Sequence, residues 1–197
     1  DKDDYYFNWC LGVFYSVESG VGLHERALPH LLNAKEINPH DPKMYSALGF
    51  AYMELGRTKE GIEAFQTAMD LAGNSDYFGK WFIMFWLLMD GQIERAERIM
   101  KASNSFDTDE WNSLLAAARG EKRTPLKVKG LLPIHYFLLG MKKEALQSIE
   151  ASIDRGGNWY FSLKQNPHWQ TLSTEPHYNR VLEKAKILHD KYSKRFK

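Results

Sequence analysis

Two short, interlocking helices are predicted between residues 42 and 75, and this stretch constrains the fold more than any other. The first helix has its apolar residues at the i, i+3, i+4, i+7 spacing, at Tyr45, Leu48, Gly49 and Tyr52. Gly56 predicts a tight turn, and the second helix carries Gly61, Phe65 and Ala68. Gly49 and Ala68 are small, which predicts that the two helices approach each other closely there.

This pattern resembles the tetratricopeptide repeat, whose 34 residues read W-x2-L-G-x2-Y, then A-x3-F, then P. Tyr45 stands in the tryptophan position, Gly61 in the alanine position and Gly73 in the proline position. The resemblance implies an all-α fold, a right-handed α-solenoid of helical hairpins with an irregular helical C-terminal cap. It also implies a binding scaffold that is not an enzyme.

The same elements recur along the chain at nearly constant intervals. Leu11, Gly12 and Tyr15 repeat the Leu-Gly-x2-Tyr element, and Ala27, Leu31, Ala34 and Pro39 precede Gly61, Phe65, Ala68 and Gly73 by 34 residues. The two halves of this first hairpin are separated by an insertion of about three residues around Glu18 to His24. Gly91, Ala96 and Met100 follow Gly56, Gly61 and Phe65 by 35 residues, and Gly140, Ala145 and Ile149 mark a further hairpin. We therefore predict hairpins over about 5–41, 42–75, 77–110 and 126–157 within a single domain, 1–197.

The interval from Gly91 to Gly140 is 49 residues, about 15 more than one repeat. The surplus predicts an extra helix over about 107–119, with Asp107 or Thr108 as its N-cap. The fourth hairpin contains Pro133, so its first helix either begins or kinks there. From residue 158 the rhythm changes to a cap over 158–197. Pro167 and Pro176 each predict a helix start, giving a short helix to Leu172 and a longer one to about Tyr192.

The C-terminal half resembles the tail of many bacterial tetratricopeptide proteins. The matching parts are Ser113 to Gly120, Leu132 to Leu139, Glu144-Ala145-Leu146, Asn166-Pro167 to Leu172, and Pro176 to Leu182. In those proteins such arrays follow winged-helix regulator, nucleotide-cyclase or kinase domains. The resemblance implies a regulatory scaffold, and the start at Asp1 without a methionine leads us to expect a piece of a longer protein.

Net charge, apolar runs and cysteine count indicate which partners and which cellular compartment to expect. The charge is balanced, with 26 basic and 25 acidic residues, so no long-range field favours nucleic acid or an anionic membrane. The apolar run from Trp81 to Met89 is shorter than the roughly 20 residues of a membrane helix, and is predicted to be a buried helix. Cys10 is the single cysteine, excludes an internal disulfide, and is predicted to be buried. We expect a cytoplasmic protein.

No catalytic motif is present in the sequence, which lacks a glycine-rich phosphate loop, His-Glu-x-x-His and Gly-x-Ser-x-Gly. His168 and His177 are the best pair for a metal, but each follows a helix-starting proline and neither has a third ligand at short spacing. We therefore expect no enzyme activity, no cofactor and no metal. The alternative is an enzyme whose pocket lies between repeats and tail, near His135, His168 and His177.

The resemblance implies a concave groove lined by the first helix of each hairpin. The predicted groove residues are Tyr6, Trp9, Val13, Lys43, Ser46, Phe50, Met53, Phe78, Trp81, Phe85 and Leu88. Relatives that clamp a terminal carboxylate use lysines and asparagines there, and only Lys43 is compatible, so no such clamp is expected. An aromatic groove favours a protein partner that offers an apolar or amphipathic segment.

Two alternatives to an external partner segment remain open. The segment Asn158 to Leu172 carries Trp159, Tyr160, Phe161 and Trp169, and it could fold back into the groove of its own chain. The aromatic N-terminal helix could instead form a homodimer, because monomers seldom expose large apolar patches.

Overall fold

The computed structural model describes residues 4–16, 22–73, 79–102, 108–121 and 132–195, and every regular element in these ranges is helical. The helices are α1 (Tyr5–Ser16), α2 (His24–Ile37), α3 (Pro42–Glu54), α4 (Thr58–Ala72), α5 (Gly79–Met89), α6 (Ile93–Lys101), α7 (Thr108–Ala118), α8 (Pro133–Leu138), α9 (Lys142–Asp154), α10 (Tyr160–Gln165), α11 (Pro167–Gln170) and α12 (Tyr178–Arg195), with a 3-10 turn at Thr171–Thr174.

The helix order confirms the predicted all-α fold of successive hairpins. The pairs α1 and α2, α3 and α4, α5 and α6, and α8 and α9 fall within the four predicted hairpins, and α7 is the predicted extra helix. Of the two alternatives at Pro133, the structure shows the helix beginning there. The predicted insertion around Glu18 to His24 falls largely in residues 17–21, which lie outside the described residues. Asp107, one of the two predicted N-caps of the extra helix, also lies outside them.

The chain divides into two compact units. Unit 1 comprises residues 1–73 and 149–197, and unit 2 comprises residues 74–148. In unit 1, α1 packs on α2, α3 packs on α4, and both helices of the first hairpin also contact α3. The single-domain organisation remains a prediction.

Each hairpin of unit 1 closes where a glycine faces a large side chain. A Cβ atom placed on Gly49 would lie 2.4 Å from the Phe65 ring, and one on Gly12 would lie 2.4 Å from Leu31 Cδ2. Phe65 and Leu31 are both buried. The predicted close approach at Gly49 is therefore confirmed, and Gly12 repeats it in the first hairpin.

The hairpin turns also depend on glycine. Gly56 and Gly91 have φ angles of +74° and +73°, a region that side chains with a Cβ seldom adopt. Gly56 N–H donates to Met53 O at 3.0 Å, and Arg57 N–H donates to Tyr52 O at 2.8 Å. This is the Schellman arrangement, which satisfies carbonyls left over at a helix end. The same pair of bonds recurs at Gly91, Gly120, Gly140 and Gly156.

Unit 2 has its core along α5, where the predicted apolar helix lies. The run from Ile83 to Leu88 is buried throughout. The Phe85 ring lies 4.8 Å from both Trp111 on α7 and His135 on α8, measured between ring centroids. In the described part of the chain, no helix combines the length and apolar character needed to cross a bilayer.

The prediction that Cys10 is buried is wrong. Cys10 is exposed, because α1 packs against the buried cluster of α2 and α3 through Tyr5, Trp9, Val13 and Tyr15 instead. Phe7 and Phe14, one turn before and one turn after Cys10 on α1, are also exposed, at 47% and 41% of their full accessibility. A helix that is apolar all round usually indicates cover on several sides, but these side chains of α1 are exposed.

The Gly49→Ala variant should be less stable than wild type, by about 1–3 kcal/mol, because the added methyl group overlaps the buried Phe65 ring. Helix propensity alone predicts the opposite sign, a gain of about 1 kcal/mol for alanine over glycine. Urea unfolding, followed by circular dichroism, measures the free energy of unfolding of both proteins and distinguishes these two expectations. An unchanged or more stable Gly49→Ala variant would contradict the close approach.

Candidate interaction surface

The predicted groove residues of unit 1 differ in their exposure along the surface. Tyr6 and Lys43 are exposed, whereas Met53 is fully buried. Between these extremes, Trp9, Val13, Ser46 and Phe50 are half-buried. Accessible groove surface is therefore found at the start of α1 and α3.

The predicted groove residues of unit 2 are mostly interior. Phe85 and Leu88 are buried, and Trp81 is half-buried with its ring 4.5 Å from Phe85. Phe78 lies outside the described residues. Because α7 and α8 supply the rings that contact Phe85, this side of α5 forms part of the unit 2 core.

The chain's own C-terminal segment, residues 158–170, lies against the first two hairpins. Asn166 is 1% exposed, and its Nδ2 donates to Met53 O at 2.7 Å. The same side chain accepts from His168 N–H at 2.9 Å through Oδ1, so it caps α11 while it binds the end of α3. One asparagine thus satisfies a carbonyl of one helix and an amide of another.

Two glycines make room for this segment. A Cβ on Gly56 would lie 2.5 Å from Gln165 O, and a Cβ on Gly22 would lie 2.6 Å from Asn158 O. Asn158 also donates through Nδ2 to Gly22 O at 3.3 Å. At both glycines, the backbone of the segment therefore occupies space that a side chain on any other residue would need.

The segment is also held by aromatic packing within itself and by hydrogen bonds to α9 and α12. The Trp159 and Trp169 rings pack edge to face at 5.4 Å, and Trp159 Nε1 donates to Ser152 Oγ at 3.0 Å. Tyr178 donates its hydroxyl to Leu163 O. Both tryptophans are largely buried, so these side chains form part of the unit 1 interior.

Two histidines of unit 1, His189 and His24, have lowered pKa values, and His189 lies beside Asn158. His189 Nδ1 is 3.2 Å from Asn158 Nδ2, which can only donate, so Nδ1 accepts and Nε2 carries the proton facing Ser193 Oγ at 3.2 Å. Burial lowers the pKa of His189. His24 is 3% exposed, and burial, assisted by His189, lowers its pKa to about 3.

The histidines of the enzyme alternative do not form a metal site in the described residues. No group of three or more His, Cys, Asp or Glu side chains is placed there so that it could hold an ion. His135 instead accepts a hydrogen bond from Leu132 N–H through Nδ1 at 3.0 Å, at the start of α8. His168 is half-buried in unit 1 and His177 is exposed.

Sequence reasoning missed the roles of Asn158 and Asn166. The Asn166-Pro167 pair does predict an N-cap, because asparagine is favoured there and proline fits the first helical turn. Nothing in the sequence pattern indicates that Nδ2 of the same Asn166 side chain would donate to Met53 O at the C-terminal end of α3, more than 100 residues earlier in the chain.

These features define a helical-hairpin repeat protein. Residues 42–75 match the tetratricopeptide repeat family, and this match covers α3, the Gly56 turn and α4. No curated protein and no solved structure gives a significant match to the chain. Tetratricopeptide repeats typically serve as non-catalytic scaffolds for protein interaction.

The contact at Gly56 can be tested with a matched glycine. Alanine at Gly56 and alanine at Gly91 meet the same strained φ, but only the Gly56 methyl would overlap Gln165 O, since nothing lies within 4 Å of the Gly91 position. We expect faster amide hydrogen exchange across residues 158–170 in Gly56→Ala and wild-type exchange there in Gly91→Ala. Equal protection in both variants would contradict the docking of the segment on this turn.

Stability should fall in acid because of His24. Its pKa is lower in the folded protein than in the unfolded chain, so the unfolded state takes up the proton as the pH drops below about 6.5. One such proton makes unfolding easier by about 1.4 kcal/mol per pH unit, while stability above pH 6.5 is unaffected. Urea titrations across this range should show a flatter pH dependence for His24→Gln than for wild type. Identical slopes would contradict the neutral, buried state of His24.

Proposed function

We propose that the chain is a non-catalytic protein-interaction scaffold that binds an apolar or amphipathic segment of a partner protein. The tetratricopeptide repeat at residues 42–75 carries this proposal. Support for an apolar partner comes from the side chains at the start of α1 and α3, where Tyr6 and Trp9 lie on the predicted groove surface with accessible area. Aromatic side chains of this kind supply much of the energy at protein interfaces.

In this proposal the groove is shared between two occupants. The chain's own segment, residues 158–170, holds the Met53 end, supported by the bond from Asn166 to Met53 O and the contact of Gln165 with Gly56. The partner segment occupies the other end, along Tyr6, Trp9, Lys43, Ser46 and Phe50. Because Asn166 is buried and bound to Met53 O, the own segment closes this end of the groove in the proposal.

The cellular role follows from the bacterial resemblance of the C-terminal half. We propose that the chain is the docking or sensing part of a larger bacterial regulatory protein. Binding of a partner segment at the groove would then report to the domains that accompany it.

The groove can be tested with peptides selected from a random display library against the folded chain. We expect the enriched peptides to carry two or more large apolar residues at helical or alternating spacing. Calorimetry should then show binding weakened about tenfold or more in Phe50→Ala, whereas Ile187→Ala, which changes an exposed residue on α12, should bind like wild type. Circular dichroism confirms that each variant is folded. Folded Phe50→Ala and Lys43→Glu variants that both bind like wild type would exclude this surface.

A further inference from the structure

The C-terminal segment meets the start of α2 at a junction that contains two histidines. Asn158 lies between Gly22 and α12, with its Nδ2 at 3.3 Å from Gly22 O and at 3.2 Å from His189 Nδ1. His24 is the first residue of α2, two positions after Gly22. We call Gly22, His24, Asn158 and His189 the Gly22 junction.

The orientation of the Asn158 amide is fixed by its other contacts. Its Oδ1 accepts from Tyr160 N–H at 3.3 Å, while its Nδ2 donates to Gly22 O. Turning the amide over would place an oxygen against the Gly22 carbonyl and an NH2 group against the Tyr160 amide. The NH2 group therefore faces His189, and it can bond there only to a ring nitrogen that carries no proton.

Protonation of His189 removes this bond. In the imidazolium ion both ring nitrogens are donors, so an N–H at Nδ1 would face the NH2 group of Asn158. The ring has little room to turn away, because it lies 5.0 Å from the Tyr160 ring and 4.8 Å from the Phe161 ring, measured between centroids. A charged His189 in this position thus opposes Asn158 instead of binding it.

His24 resists protonation for a different reason. Its side chain is 3% exposed, and its Nδ1 has no hydrogen-bond partner in the described part of the chain. The ring packs against Phe50 of α3, with 5.9 Å between centroids. Protonation of both ring nitrogens would leave a buried N–H without an acceptor and a positive charge away from water.

The charged side chains of the described residues near the two histidines are Glu25 and Arg26 of α2, Lys164 of α10 and Asp190 of α12. Burial lowers the pKa of His189, and Asp190 raises it to a smaller extent. Arg26 and Lys164 also lower this pKa. Burial and then repulsion by His189 lower the pKa of His24 to about 3. Both histidines therefore take up protons more readily when the junction is open than when it is closed.

We propose that the Gly22 junction is a pH-sensitive switch, closed while both histidines are neutral and opened when they are protonated. Opening separates Asn158 and α12 from the start of α2. The bond from Asn166 to Met53 O involves no titratable group, so the other end of the segment stays bound. The switch is a property of the chain alone and does not depend on the partner groove proposed above.

Amide hydrogen exchange of residues 158–163 at pH 7.5 and 5.0, corrected for the intrinsic effect of pH, tests the switch. A pKa of His24 of about 3 in the closed junction and about 6.5 in the open one makes opening about thirtyfold more favourable at pH 5.0. Since His189 acts in the same direction, we expect protection to fall at least about thirtyfold.

Low concentrations of urea distinguish local opening from global unfolding. A local opening exposes little surface, so urea should not speed exchange of residues 158–163 at pH 5.0, whereas exchange of the α4 amides should be slower and should rise with urea. Unchanged protection between the two pH values would overturn the proposal. So would exchange that follows the α4 amides at every urea concentration.

Variants of the histidines supply the matched controls. In His189→Asn the amide oxygen can replace Nδ1 as the acceptor for Asn158, and it takes up no proton in this pH range. This variant should lose less protection at pH 5.0 than wild type, and the His24→Gln, His189→Asn double variant should lose almost none. His177→Asn changes an exposed histidine of the same C-terminal cap and should respond like wild type. A wild-type response in both junction variants, or its loss in His177→Asn, would also overturn the switch.

Discussion

The two N-terminal hairpins depend on a close contact between a glycine on the first helix and a large side chain on the second. At Gly49 the Phe65 ring occupies the space that any side chain would need, and at Gly12 the Leu31 side chain does the same. This nesting brings the two helices together and buries Phe65 and Leu31. Interiors packed at this density tolerate little added volume, so the spacing of the two helices in each of these hairpins depends on its glycine contact.

The hairpin ends depend on a second constraint, the left-handed backbone at the turn glycines. A helix leaves unsatisfied carbonyls at its C-terminus, and the Schellman bonds at Gly56 satisfy two of them. Met53 O accepts from Gly56 N–H and also from the Asn166 side chain. The turn is therefore both the end of a hairpin and the attachment point of the C-terminal segment, and the absence of a Cβ at Gly56 serves both roles.

Much of this fold could be predicted because the hairpin signals are local. Helical spacing, a turn glycine and a small residue at the crossing point all lie within 34 residues, and they predict the hairpin of α3 and α4 to within a few residues. The starts of α8 and α11 could also be predicted, since Pro133 and Pro167 each begin a helix. These residues act through their own backbone, so their effect does not depend on distant contacts.

The errors and omissions concern contacts between distant parts of the chain. The apolar pattern of α1 predicts a buried Cys10, but which neighbours cover a given side chain is a property of the assembled fold, and Cys10 is exposed. Likewise, the apolar pattern of α5 would be the same if the helix lined a groove. In the structure, Phe85 of α5 packs instead against the rings of Trp111 and His135. The bond from Asn166 to Met53 joins residues that no local rule relates. The candidate surface is therefore less predictable from sequence than the hairpins on which it lies.

The functional proposal combines a predictable scaffold with features visible only in three dimensions. The repeat at residues 42–75 supports protein interaction, and the bond from Asn166 to Met53 O fixes the chain's own segment against the end of α3. All of this requires the hairpins to nest as described. The most direct measurement is nuclear magnetic resonance of the folded chain in solution. The account predicts strong nuclear Overhauser effects between the Gly49 α protons and the Phe65 ring, with the Gly49 α protons shifted by the ring current, and matching effects between Gly12 and the Leu31 methyl groups. A well-dispersed spectrum without these effects would contradict it.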